Sequence, residues 1–321
     1  MSGLRKFGQY VHIKVHNKDG STIFSTDSLR VDFDIREIPN WNRARFSIYN
    51  LTRATMNNIS NGNNYVTLKV GLHGSEPKIL ASNMYISNAM EEIKVPDSIF
   101  SMYTVSSLKK ETLENVIAIN VFDPNLKRIL RDLKRAAKFS GEFILRYFPE
   151  ELITYSPPTT NSNLRGTLMQ CLRKLGRTGA YKFNVYIEGK NIVLMYKPDV
   201  KNFKETTLYD SKNIITLSTD NMRSNPKLGP ATLSVTSNLD PDIKPSSILN
   251  ISELITVGTD ISLGGLEVAP DLLTESTAGY SNYQAIKVQH KGSNWSDGWL
   301  TQVVATSPTK GIKMSADKWW A

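Results

Sequence analysis

The stretch NRARFSIYNLT, residues 42–52, alternates Ala44, Phe46 and Ile48 with Arg45, Ser47 and Tyr49, then ends in Asn50-Leu51-Thr52. A period of two places the apolar set on one face of a strand and the polar set on the other. Thr52 is a favoured helix N-cap. Leu51, Met56 and Ile59 give residues 53–59 one apolar side, and Asn61-Gly62-Asn63-Asn64 ends that short helix. The same alternation surrounds it. Upstream, Val11, Ile13 and Val15 alternate with His12, Lys14 and His16 before the turn Asn17-Lys18-Asp19-Gly20, and Leu29, Val31, Phe33 and Ile35 alternate with Arg30, Asp32, Asp34 and Arg36. Downstream, residues 65–70 and 84–90 resume it. Residues 1–104 therefore read as half-buried antiparallel strands with a helix on the flank, the pattern of a barrel or sandwich.

Residues 105–200 change character. A strand-like run at 116–121 leads into Asp123-Pro124, read as a cap with proline in the first helical turn. Leu126, Ile129, Leu130, Leu133 and Ala137 then recur on one helical face. Leu164, Leu168, Leu172 and Leu175 predict a second helix stopped by Gly176, and residues 181–186 and 191–196 flank Glu188-Gly189-Lys190 as a hairpin. The expectation is a small α+β unit of strand, helix, helix and hairpin. Residues 201–321 return to β, with short strands expected at 214–217, 232–235, 248–251 and 285–288. Pro226, Gly229-Pro230, Pro241, Pro245 and Gly264-Gly265 interrupt them, and proline belongs at edges, bulges and turns. Residues 263–277 read as either an irregular loop or a short helix. The fold class is mainly β with an α+β insert.

Composition narrows the function classes. The 321 residues carry 39 Lys+Arg against 30 Asp+Glu, a formal net charge of +9, and are 40% hydrophobic. That supplies buried cores and does not match the profile of disorder. No run approaches the ~20 apolar residues of a membrane span. The N-terminus MSGLRKFGQY has no apolar signal-peptide core, so a cytoplasmic start is expected. A single cysteine, Cys171, leaves no intramolecular disulfide, and its setting between Met169 and Leu172 suits a buried small hydrophobe better than a nucleophile. His12, His16, His73 and His290 are too scattered for a zinc site. Phosphate-binding glycine loops, the GxSxG elbow and the HExxH pair are all missing from the sequence, and Glu150-Glu151 suits a solvated loop. No catalytic residue, metal or cofactor is expected.

Two features remain as candidate contact sites. Lys127, Arg128, Arg131, Lys134, Arg135 and Lys138 occupy the polar face of the first insert helix with Asp132 as its one acid. Such a face binds phosphates or an acidic partner, or else keeps a surface solvated. Nucleic-acid readers interleave aromatics for stacking, and none occurs before Phe139. Trp319-Trp320, at the end of the sequence, either folds back on a barrel or anchors a neighbouring subunit, the second being favoured.

The run Asn42 to Thr52, with its strand, Tyr-Asn-Leu-Thr and short helix, resembles the first tail-tube-type barrel of baseplate hub proteins from contractile-tailed bacteriophages. Tyr283-Gln284-Ala285-Ile286-Lys287-Val288-Gln289-His290-Lys291-Gly292 followed by Trp299-Leu300-Thr301 is similar to the strand, turn and Trp-containing strand near the end of such hubs. The proline-rich stretch from Leu228-Gly229-Pro230 to Pro245 looks like the opening of their second barrel. The resemblance implies two tube-like barrels, 1–104 and 201–321, flanking an α+β insert at 105–200, with strands free to interleave between barrels. It implies a homotrimer whose six barrels join a sixfold tail tube protein to a threefold central spike protein among other baseplate proteins, with DNA only passing through the lumen. A virion tail baseplate assembled in the host cytoplasm would be its location. Three copies would carry +27, three times the +9 of one chain, so the basic helix is expected on the outside and away from DNA. The alternatives are a nucleic-acid-binding protein using the Lys127 to Lys138 face, and a tail-associated cell-wall hydrolase.

Overall fold

The computed structural model describes residues 9–306 apart from 39–40, 73–75, 109–111, 113, 122–124, 147, 149–152, 154–161, 178–180, 197–213, 229–231, 257–260, 264–265, 269–281 and 297. The first β unit holds β1 (Gln9–His16), β2 (Thr22–Thr26), β3 (Val31–Ile38), β4 (Trp41–Tyr49), α1 (Arg53–Ser60), β5 (Tyr65–Leu72), β6 (Lys78–Lys94) and β7 (Asp97–Ser106). Their order is β3-β4-β7-β6-β5-β1-β2, every pair antiparallel. The alternation seen in the sequence decides which side is dry. Val11, Ile13, Val15, Val31, Phe33, Ile35, Phe46 and Ile48 all enter one core, with the polar members of each alternation on the other face. α1 is fastened at both ends. The Thr52 hydroxyl accepts from the Thr55 N–H, the Asn64 amide donates to the Ile59 carbonyl at 2.8 Å, and Met56 and Ile59 pack into the core.

The insert contains β8 (Val116–Val121), α2 (Leu126–Ala137), β9 (Phe143–Arg146), β10 (Ser162–Thr167), α3 (Leu168–Arg177), β11 (Phe183–Glu188) and β12 (Asn191–Tyr196). β8 pairs with β10, while β9 lies parallel to β12 in a second sheet completed by β11. Three expectations are corrected here. The helix cap is Asn125, whose side chain accepts from the Arg128 N–H; Asp123-Pro124 lies outside the described residues. Leu164 stands on strand β10 opposite Ile119, so α3 begins only at Leu168. Gly166, at φ +133°, is in a backbone region that ends any helical run, and Thr167 with Gln170 then caps α3 reciprocally. Gly176 belongs to α3 and does not stop it. An added Cβ there would lie 2.7 Å from the Phe183 carbonyl oxygen, so the glycine is what lets α3 approach β11.

The C-terminal unit runs through β13 (Ile214–Thr216), β14 (Met222–Leu228), β15 (Thr232–Asn238), β16 (Ile248–Asn250), α4 (Ser252–Thr256), β17 (Ile261–Leu263), β18 (Leu266–Val268), β19 (Asn282–Ser293) and β20 (Leu300–Thr306). Pro226 sits where the β14–β15 register slips between Ser224 and Lys227. Within residues 263–277, the described part contributes the end of β17 and all of β18; the remainder, like Gly229-Pro230, Glu150-Glu151 and His73, lies outside the described residues. The order β18-β17-β14-β15-β20-β19 continues without a break into β3, because Val288 to Ser293 pairs with Glu37 to Asp32.

One hydrogen-bonded sheet therefore crosses both β units, yet the apolar interiors stay apart. Leu217, Leu233, Val235, Leu249, Leu254, Val288, Val303 and Ala305 form a core separate from that of the first unit, and the insert has its own around α2 and α3. Trp299 crosses over. It packs edge-on against Phe33 with ring centroids 6.1 Å apart, and its indole N–H donates to the Ser293 carbonyl at 2.6 Å.

Candidate assembly surfaces

The cationic helix face is presented as its spacing requires. Leu126, Ile129, Leu130, Leu133 and Ala137 are buried, which turns Lys127, Arg128, Arg131, Arg135 and Lys138 outward. Lys134 is half-buried and ion-paired with Glu142. Lys134 and Arg135 also lie at the negative end of the helix dipole, a favourable position for cations. The sequence reading missed a second basic surface on α3, where Gln170, Arg173, Lys174 and Arg177 line an open hollow of about 450 Å³. Arg173 is held below the usual arginine pKa by burial and by the neighbouring Arg177. The signal was present as cations three and four apart, but the apolar side of the helix drew the reading. Cys171 is buried on that same helix, its thiol pushed up by desolvation. His12 bonds Ser25, and His16 bonds both Asn17 and Thr67. Trp319 and Trp320 lie outside the described residues.

A set of buried and half-buried polar contacts ties the three units together. Lys244 bridges to Glu37 at 3.2 Å and donates to the Leu80 carbonyl at 3.1 Å, joining the C-terminal unit to β3 and β6. Burial raises the Glu37 pKa, with Lys244 acting against it. His290, wholly buried on β19, shares a 3.0 Å hydrogen bond with Thr301 through Nδ1. Burial drives its pKa well below 6.5, the Lys244 ammonium adds to this, and the Ile243 backbone opposes it. From the insert, Arg146 bridges to Glu188 at 2.7 Å and donates to Ser246 at 2.7 Å, and the Tyr186 hydroxyl meets Gln284 at 2.6 Å. Tyr186, Val193 and Met195 pack on Ile248, so the insert is docked by apolar contact as well.

The outer face of the first unit carries a different surface. A groove of about 790 Å³ is lined by Arg36, Arg43, Arg45, Ser87, Tyr103 and neighbouring residues, including Asp34. Beside it, the β6–β7 hairpin runs out past the core and exposes Met90, Ile93 and Val95. Among the described residues no group of His, Cys, Asp and Glu is placed to hold a metal ion, and no helix is long and apolar enough to cross a membrane.

Comparison with solved structures matches nearly the whole chain. A tail protein from Neisseria meningitidis superposes with TM-score 0.55 over 94% of this chain and 97% of that one, at 10% identity. The fold is that of phage tail proteins. A 43 kDa tail protein of a Shewanella oneidensis prophage gives TM-score 0.52, again over 94% and 97% of the two chains, at 9% identity. A chain of a Francisella PdpA–VgrG complex gives 0.50 at 10% identity, this chain covering 60% of that one. No family model matches the sequence, and neither does any curated protein.

Proposed function

We propose that this chain is a structural baseplate hub of a bacteriophage tail. Three copies form a ring in which the β units, each a tube-like barrel, present six similar modules to the tail tube and a threefold face to the central spike. DNA passes through the lumen during ejection, and assembly takes place in the host cytoplasm. The units divide near residues 104 and 200. The observation that carries this reading is the β19–β3 ladder, which joins two β units with separate cores into one continuous sheet. A part that transmits load between a tube and a spike needs such continuity within each subunit, and the obligate interfaces that hold it to its neighbours bury ~2,000 Å² or more. No catalysis is assigned. The basic face of Lys127, Arg128, Arg131, Lys134, Arg135 and Lys138 lies on the insert, outside the β units, and meets acidic baseplate neighbours.

A reconstruction of the particle decides the matter: three copies, each giving two barrels around one lumen, is the expected result, and a single barrel per copy would refute it. Trp319 and Trp320 are assigned as anchors to a neighbouring subunit. Their deletion is expected to lower assembly yield while leaving the melting temperature unchanged; the opposite outcome would remove that role.

A further inference from the structure

We propose that the end of the β6–β7 hairpin seats in the arginine-lined groove of a second copy of this chain, head to tail. This rests on the ring reading above and supplies the surfaces that make the contact. β6 pairs with β5 only as far as Tyr85, and the Ile86 N–H closes on the Asn64 carbonyl. Beyond that point, among the described residues, the edge of β6 facing away from β7 meets no other strand, from Ser87 to Lys94. At ~3.3 Å per residue this open edge is roughly 26 Å long. Folded proteins shorten, bulge or cover such edges because they recruit other chains.

The register shows why the edge is also sticky. Asn88, Met90 and Glu92 lie opposite Tyr103, Ser101 and Ile99, whereas Ala89, Glu91 and Ile93 lie opposite Met102, Phe100 and Ser98. The two sets face opposite sides of the sheet. Met90, 48% exposed, stands on one, and Ile93, 68% exposed, on the other, with Val95 at the tip 90% exposed. The first core reaches Met102 and Phe100, opposite Ala89 and Glu91, but stops short of Ile93, and Met90 stands on the face turned away from it.

Charge selects a second copy as the occupant. On a chain of net charge +9, the hairpin end carries Glu91, Glu92 and Asp97 against the single cation Lys94. The groove carries Arg36, Arg43 and Arg45 against Asp34, an acid already engaged by Arg36 at 3.0 Å and by Gln289 at 2.7 Å. Arg45 lies over the Tyr103 ring, 5.7 Å from its centroid, and donates to Ser101. Arriving carboxylates complement these guanidinium groups and the exposed Tyr103 offers a platform for Ile93 and Val95. Groove and open edge meet at Ser87, so a tip entering the groove continues along the neighbour's unpaired backbone, where it can add as a strand. Because the two patches differ, the contact is heterologous and propagates round a ring.

The test uses the full chain in sedimentation velocity over a concentration series. Glu91→Lys with Glu92→Lys, and separately Arg43→Glu with Arg45→Glu, are each expected to weaken self-association about tenfold or more. Combining all four restores opposite charges across the contact and is expected to recover most of the loss, which a merely misfolded variant would not do. In parallel, Val95→Cys with Ser87→Cys is expected to give a disulfide between copies on oxidation. Association indifferent to both charge reversals, failure of the fourfold variant to recover, or a monomeric chain giving no intercopy disulfide at the highest soluble concentration would each overturn the docking. A chain that trimerises but ignores the reversals sinks this contact and leaves the hub reading standing. One that cross-links as proposed yet is absent from purified tails sinks the hub reading alone.

Discussion

At the scale of single residues, the most consequential groups are those the apolar pattern hides. His290 reads in the sequence as one polar position on a strand, yet it is wholly buried beside Lys244 and held neutral. Its folded-state pKa is lower than its unfolded value near 6.5, so the unfolded chain binds the extra proton and stability falls as pH drops below that value. Between pH 7.5 and 5.5 the loss from this one group is on the order of 1 kcal/mol. Glu37 works in the other direction, since its raised pKa makes the charged form the costly one in the fold. Urea denaturation of the wild type and of His290→Gln at both pH values separates the two, because only the histidine contribution vanishes in the variant. A variant with the same pH slope as wild type would exclude His290 as the source. Lys244 is the partner on which Glu37 depends, and removing one member of a buried pair strands the other charge. Lys244→Ala is therefore expected to cost about 3 kcal/mol, and adding Glu37→Gln to return part of it.

At the scale of elements, the sequence was legible wherever one face alone meets a core. β1, β3, β4, α1 and α2 were readable because their apolar spacing equals their structural period and a single environment reads each face. β9 and β10 were not. β9 carries Phe143-Ile144-Leu145, apolar on both faces because one side meets the helices and the other the C-terminal unit. β10 contributes Leu164 alone, whose four-residue spacing to Leu168 mimics a helix. From alternation alone β19 was read as residues 285–288, because Lys287, Gln289 and Lys291 mask a strand sandwiched between β3 and β20; the resemblance had marked a strand across Tyr283 to Gly292. The candidate sites were legible in the same uneven way: the α2 cations through their period, the groove and hairpin end not at all, since they depend on which strands become neighbours. Gly176 gives a test at this scale. Alanine adds roughly 1 kcal/mol as a helix former, but its Cβ must displace the Phe183 backbone, at a cost of about 2–3 kcal/mol. Gly176→Ala is expected to lower the melting temperature, and a rise would show that α3 does not press on β11. Arg131→Glu with Arg135→Glu, on the exposed face, should cost about 1 kcal/mol of stability, mostly from an acid at the negative end of the helix dipole, while weakening the binding of any acidic partner far more.

Across the whole molecule, the organising feature is that separate cores share one backbone network. Hydrophobic burial alone would let the two β units open independently, because their apolar clusters are distinct. The β19–β3 ladder, the Asn294 side chain bonding both the Val31 N–H and the Leu29 carbonyl, and Trp299 lying in the first core all oppose that. The insert is held differently, through Tyr186, Met195, Ile248 and the Arg146–Ser246 hydrogen bond, a smaller contact that shares no strand pairing among the described residues. Opening free energies should therefore fall into two classes. Native-state hydrogen exchange is expected to show amides of β3, β4, β19 and β20 opening together at the global free energy, with amides of α2 and α3 opening below it. Trp299→Ala, which removes a buried aromatic from the crossing point, should cost about 3–5 kcal/mol and lower the exchange protection of β19 and β3 in parallel. Protection lost on β19 while β3 holds would mean that the ladder transmits no load between the units, and a tail component built to carry force through this chain would need another path for it.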